Sequence, residues 1–160
     1  VTMIRIEGFE EQVTYRAEQL KTLLARFAPA DIERRIEGGE NTQAGWRWVR
    51  DAEMFARSDE DVWRVSLKAS DAVELAGRLP GARLLFDWGG GLVWVGLPEG
   101  TDLRAQMRGI SGHATLVRAS AATRAALPTF HPEPAPLAKL ASGLKQQFDP
   151  RGILNPGLMT

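Results

Sequence analysis

Apolar residues recur along this chain with two different periods, and the switches between them mark its elements. Met3, Ile4 and Ile6 open in a strand-like pattern, followed after Gly8 by a helical stripe of Val13, Ala17, Leu20, Leu24 and Phe27 that Pro29 closes. Residues 31–37 (DIERRIE) read as a charged, exposed strand ended by Gly38-Gly39. Trp46, Trp48, Val49, Met54 and Phe55 pin residues 41–56 as an irregular or helical segment. Trp63, Val65 and Leu67 then alternate with Arg64, Ser66 and Lys68, the signature of a half-buried strand. Ser70 stands where a helix N-cap belongs, ahead of the stripe Ala72, Leu75 and Leu79 and the stop Pro80-Gly81. Two apolar runs, 82–88 and 92–97, flank Gly89-Gly90-Gly91 and predict a hairpin, because glycine tolerates the positive φ of a tight connection. Leu103, Met107 and Ile110 predict a short helix with Asp102 at its positive end. Residues 113–118 form a further strand, and Ser120 starts an alanine-rich helical turn.

Residues 62–118 therefore read β-α-β-β-α-β, the order of a ferredoxin-like split βαβ unit. The expected fold class is α+β: an antiparallel or mixed sheet with helices packed on one face, extended by the leading strand-helix-strand of residues 3–37. Beyond Leu127 the pattern changes. Four prolines within 128–136 force an extended run, and a final helix carries Leu137, Leu140, Leu144 and Phe148 along one face until Asp149-Pro150. We expect residues 1–127 to be the α+β domain, with 128–160 a Pro-rich connection, helix and tail of the same domain. The immediate entry into a strand-like pattern is what a part of something longer would show.

Composition narrows the chemistry. The 160 residues include no cysteine, which excludes disulfides, thiol catalysis and thiolate metal sites. Two histidines, His113 and His131, are thin material for a metal centre or a triad. Twenty basic residues balance twenty acidic ones, so the whole chain is no polyanion binder. The balance is uneven, however: residues 1–103 carry 13 basic and 18 acidic side chains, and residues 104–160 carry 7 and 2. No run approaches the ~18 apolar residues of a membrane span.

Few constellations carry chemistry. The triple glycine lacks the Lys-Ser/Thr of a phosphate-binding loop and opens no helix, so it reads as a turn, and Asp87 as a solvated strand end. His113, Thr115 and Val117 share one face of their strand by alternation, which separates His113 from Arg118 if the strand is regular. His113 is a candidate catalytic residue, with a structural histidine the competing reading. Arg47 and Arg50 among Trp46 and Trp48 could suggest a base-stacking platform, but Asp51, Glu53, Asp59, Glu60 and Asp61 oppose it and favour packing.

The C-terminal string is more specific. Phe148-Asp149-Pro150-Arg151-Gly152-Ile153-Leu154-Asn155-Pro156-Gly157, preceded by the helix LAKLASGLKQQ, resembles the ending of FAD-linked oxidases of the vanillyl-alcohol oxidase type, F-D-P-x-G-I-L-N-P-G. Asp-Pro stops the helix, Gly152 permits a turn, Ile153 and Leu154 are expected to dock into the core, and Asn155-Pro156-Gly157 makes a second turn. WRVS at 63–66, DWGG at 87–90 and GHATL at 112–116 extend the likeness to the FAD-binding subunits of glycolate oxidase. The resemblance implies the C-terminal, cap or substrate domain of a subunit acting on glycolate or a similar 2-hydroxy acid. Its Gly-rich flavin-binding domain has no counterpart here. Implied with it are FAD in the full-length protein but none on this chain, Asn155 and Arg151 near the cofactor, and isolated material that is inactive. The implied partners are the N-terminal flavin-binding domain and other glycolate oxidase subunits. The implied location is cytoplasmic, or membrane-associated through those subunits. The alternative is a non-catalytic ferredoxin-like domain for assembly or small-ligand binding.

Overall fold

A computed structural model describes residues 2–27 and 40–156. The chain forms two compact units, residues 1–43 and 44–160.

In the first unit, helix α1 (Glu10–Leu24) has Glu10 and Glu11 in its first turn and Lys21 in its last, complementing the helix dipole at both ends. None of its residues is buried. Residues 2–7 form no strand, contrary to the opening pattern, and Met3 and Ile4 stand about half exposed. The adjacent pair Met3-Ile4 breaks the two-residue period, so the pattern specifies no buried face. The strand expected at 31–37 lies outside the described residues.

Helix α2 (Glu40–Arg50) runs into a 3-10 turn at Glu53–Phe55. The sheet comprises β1 (Asp61–Leu67), β2 (Arg83–Asp87), β3 (Leu92–Leu97) and β4 (Gly112–Arg118). Helix α3 (Ala72–Gly77) joins β1 to β2, and α4 (Leu103–Gln106) joins β3 to β4, giving the expected β-α-β-β-α-β order. The strands lie in the order β2-β3-β1-β4, every neighbouring pair antiparallel. Trp63, Val65, Val93, Val95, Leu97, Ala114 and Leu116 form one sheet face and pack against Ala72, Leu75, Leu79, Leu103, Met107 and Ile110. Burial of each large side chain stabilises this core by about 1.5–3 kcal/mol.

The opposite face is covered too, at one end. Ala52, Phe55 and Val62 cluster there with Met54, Leu85 and Trp94, a 3-10 turn added to the expected packing of α3 and α4 on the main face. Gly96 makes this approach feasible: a Cβ at that position would lie 2.5 Å from the Glu60 carboxylate and 2.9 Å from the Phe55 ring. Guanidiniums hold the segment in place. Arg83 donates to Glu60 and to the Met54 carbonyl (2.9 Å), and Arg118 donates to the carbonyls of Phe55, Ala56 (3.2 Å) and Ser58 (2.8 Å).

Asp102 and Ser120 cap the helices that follow them, and Ser70 does not. Asp102 accepts from the Arg104 amide (3.0 Å), and the Ser120 hydroxyl accepts from the Thr123 amide (3.1 Å) at the start of α5 (Ala121–Ala126). Ser70 does not cap α3. It sits inside a 3-10 turn, Ala69–Asp71, and its hydroxyl donates to Asp71 instead (3.0 Å). At the hairpin, Trp88, Gly89 and Gly90 all take positive φ (53, 62 and 98°), with the Asp87 carboxylate accepting from the Trp88 amide at 2.7 Å. Asp87 is thus a turn cap rather than a free strand end.

The Pro-rich run crosses the outer edge of β4. The Leu116 amide donates to the Thr129 carbonyl (2.9 Å) and the Ala114 amide to His131 Nδ1 (3.3 Å). The Arg104 guanidinium gathers the carbonyls of Ala114 (3.1 Å), Pro128 (2.8 Å) and Thr129 (3.0 Å). Helix α6 (Ala135–Phe148) follows and buries no residue, leaving Leu137, Leu140, Leu144 and Phe148 between 52 and 75% exposed. Asp149 then organises the tail, its carboxylate accepting from the amides of Ile153 (2.9 Å) and Leu154 (3.0 Å), while Gly152 turns at φ 62°. Ile153 and Leu154 do not dock into the core; both are about 60% exposed. The tail's turn is built from backbone bonds to one carboxylate, which fix its path without a hydrophobic contact.

Candidate ligand-facing side of the sheet

Antiparallel register sets two rows of side chains across the sheet face away from the main core. One row runs Leu85, Trp94, Arg64, Thr115; the next runs Asp87, Leu92, Ser66, His113. Phe55 and its neighbours cover the end near Leu85 and Trp94, leaving Arg64, Ser66, Thr115 and His113 at the partly open end. The Arg64 guanidinium lies 5.5 Å from the centre of the Trp88 indole, and no carboxylate among the described residues pairs with it. Trp88 is itself 65% exposed. A half-buried cation beside two hydroxyls, an imidazole and an indole is chemistry suited to a small organic anion.

His113 lies on this face as alternation predicts, exposed, with Thr115 beside it. The strand is not regular, but Arg118 still does not join His113 among the described residues. The register slips between Val62 and Trp63, so Val62 faces Arg118 while Trp63 faces Leu116, and this bulge brings the Arg118 guanidinium to the Phe55 side. There Arg118 is committed to backbone carbonyls.

The His113 and His131 rings meet edge to face, centroids 5.8 Å apart. His131 accepts from the Ala114 amide at Nδ1, so its proton sits on Nε2 and the ring is neutral. Burial first, then Arg104 and His113, push its pKa below the ordinary 6.5, with Asp102 opposing. His131 lines a cleft of about 360 Å³ with Asp102, Arg104, Met107, Arg108 and Ile110. Arg104 is not available to a ligand there, since three carbonyls and the Trp63 ring (4.7 Å) occupy it, and burial lowers its pKa.

Arg151 and Asn155 sit on the exposed tail, Asn155 at φ 44°, outside the linings of the two clefts of about 360 and 410 Å³. Among the described residues no hydrogen bond or ring contact joins them to His113. One cation and one amide on an exposed tail do not by themselves enclose a flavin. Among the described residues there is also no group of three metal-ligating side chains. Sequence reading passed over Arg64; the available signal was a cation in the polar phase of the WRVSL alternation, at the centre of a sheet.

The architecture defines an α+β domain with a four-stranded antiparallel sheet, one packed face and one half-open polar face. Its sequence is similar to the glycolate oxidase subunit GlcE of Escherichia coli (strain K12), 38% identical over 129 residues. The match takes in 79% of this chain and 34% of that protein, so the chain spans about a third of its relative's length, consistent with the C-terminal domain of an FAD-linked oxidase. No family model matches the chain, and no solved structure does. No helix among the described residues is long and apolar enough to cross a membrane.

Proposed function

We propose that this chain is the C-terminal cap or substrate domain of an FAD-dependent oxidoreductase subunit acting on glycolate or a similar 2-hydroxy acid. The observation that carries the reading is the 38% likeness to a glycolate oxidase subunit of which the match covers 34%. The FDPxGILNPG string and the unburied apolar stripe of α6 support it, since both are surfaces suited to a companion domain. In this reading FAD belongs to an N-terminal flavin-binding domain, Asn155 and Arg151 approach it from the tail, and other oxidase subunits complete the assembly. Arg64 meets the substrate carboxylate, with His113 at the margin of the same face.

The test is to purify the chain alone and joined in frame to its upstream coding sequence. The joined protein should carry flavin and, with its partner subunits, reduce an acceptor in the presence of glycolate; the chain alone should be colourless and inactive. One flavin per isolated chain would overturn the division of labour. In the assembled enzyme, Arg64→Gln should raise KM for the acid about tenfold or more while flavin content holds. An unchanged KM and kcat would favour the alternative, a ferredoxin-like domain serving assembly alone.

A further inference from the structure

The two edges of the sheet are treated differently. At the β4 edge, the outward-facing groups Ala114 N, Ala114 O and Leu116 N are all satisfied, by His131, Arg104 and Thr129. At the opposite edge, β2 pairs only with β3, and no backbone group of Arg83–Asp87 finds a second partner among the described residues. Open strand edges are templates for further pairing, and proteins ordinarily blunt them with proline, lysine, bulges or covering segments. β2 has no proline or lysine and runs in unbroken register with β3. On it Phe86 is 45% exposed, although it shares the core-facing side with Leu84.

We propose that β2 is an interface strand that pairs antiparallel with the β2 of a second copy of this chain, around a two-fold axis at Leu85. The sequence RLLFD is self-complementary under that operation. Arg83 faces Asp87 of the other copy, Leu84 faces Phe86, and Leu85 faces Leu85, so each cross-strand pair is either opposite in charge or apolar with apolar. Arg83 can serve the pair while holding Glu60 and the Met54 carbonyl, because the guanidinium has further N–H groups beyond those three bonds. Asp87 likewise keeps an oxygen free beyond the one that caps Trp88. A one-residue shift from this axis sets Phe86 against Phe86 but leaves Arg83 without an acidic partner, so charge selects the register. The outcome is an eight-stranded sheet. This inference does not depend on the flavoprotein reading.

Sedimentation of the chain over a concentration series tests it, together with hydrogen exchange at the amides of Arg83–Asp87. The expected result is a reversible dimer in which dilution deprotects those outward-facing β2 amides. Phe86→Lys should weaken association about tenfold or more, because a cation replaces an apolar pair. Asp87→Asn, which preserves an acceptor for the Trp88 amide and hence the turn, should weaken it about threefold and flatten its salt dependence. A monomer at every concentration overturns the proposal. So does a dimer whose β2 amides exchange freely or whose affinity neither substitution changes.

Discussion

The Thr123 hydroxyl donates to the Asp61 carboxylate at 2.9 Å, both residues almost wholly buried. The same carboxylate accepts from the amides of Gly100 (2.8 Å) and Ser120 (3.3 Å), so one side chain at the head of β1 ties together the β3–α4 loop and the start of α5. Removing it would strand these donors away from water. Asp61→Ala should lower unfolding free energy by about 3 kcal/mol, and Thr123→Val by about 1 kcal/mol, read by urea titration. Equal, small losses would show that the junction is solvated.

Glycines on the fold have opposite roles, and paired substitutions should separate them. A Cβ at Gly112 would stand 2.5 Å from the Ser66 carbonyl oxygen, backbone against backbone in the β1–β4 ladder. Gly112→Ala should cost about 2 kcal/mol. Gly143 lies inside α6, where a Cβ would meet nothing within 4 Å, so Gly143→Ala should add helical stability of about 0.5–1 kcal/mol. Thermal melts of the two variants should move in opposite directions.

Acid should weaken the fold in two stages. Burial keeps folded His131 neutral below its ordinary pKa of 6.5, whereas the unfolded chain takes up the proton there. Stability contributed by the neutral ring is complete above that value and lost as pH falls through it toward the lower folded value. Glu60 follows in the carboxylate range, because the Arg83 hydrogen bonds hold it below its ordinary pKa and its contribution disappears on protonation. His131→Gln should flatten the first stage of a plot of Tm against pH and leave the second.

Helix α6 should be dispensable to the core yet essential to assembly. Leu140→Lys with Leu144→Lys should leave the Tm of the isolated chain within about 1 °C, since both side chains are more than half exposed. If the chain belongs to the flavoprotein proposed above, the same pair should abolish flavin retention or subunit association there, measured by absorbance and co-purification. A large loss of Tm in the isolated chain would mean that the stripe is covered within it.

How far the sequence could be read depended on the range of the interactions involved. Strand β1 was legible because Trp63, Val65 and Leu67 alternate with polar residues, and the hairpin because a run of glycines separates two apolar segments. The helix starts at Asp102 and Ser120 were legible for the same reason, since each side chain accepts from an amide within three residues. Ser70 has the same credentials, but its hydroxyl found Asp71 first.

The amino-acid sequence by itself determined the β-α-β-β-α-β order of residues 62–118, the main core face and the likeness of its C-terminal string, all of which depend on neighbours a few residues apart. Tertiary structure decided what distant segments do to one another. The slip between Val62 and Trp63 carries Arg118 across the sheet, His131 and Thr129 close the β4 edge, and Gly96 admits the Phe55 turn onto the second face. It also left Ile153 and Leu154 exposed where their hydrophobicity alone suggested burial. Periodicity records which side of an element is apolar; only the folded chain fixes which partner, if any, reaches that side.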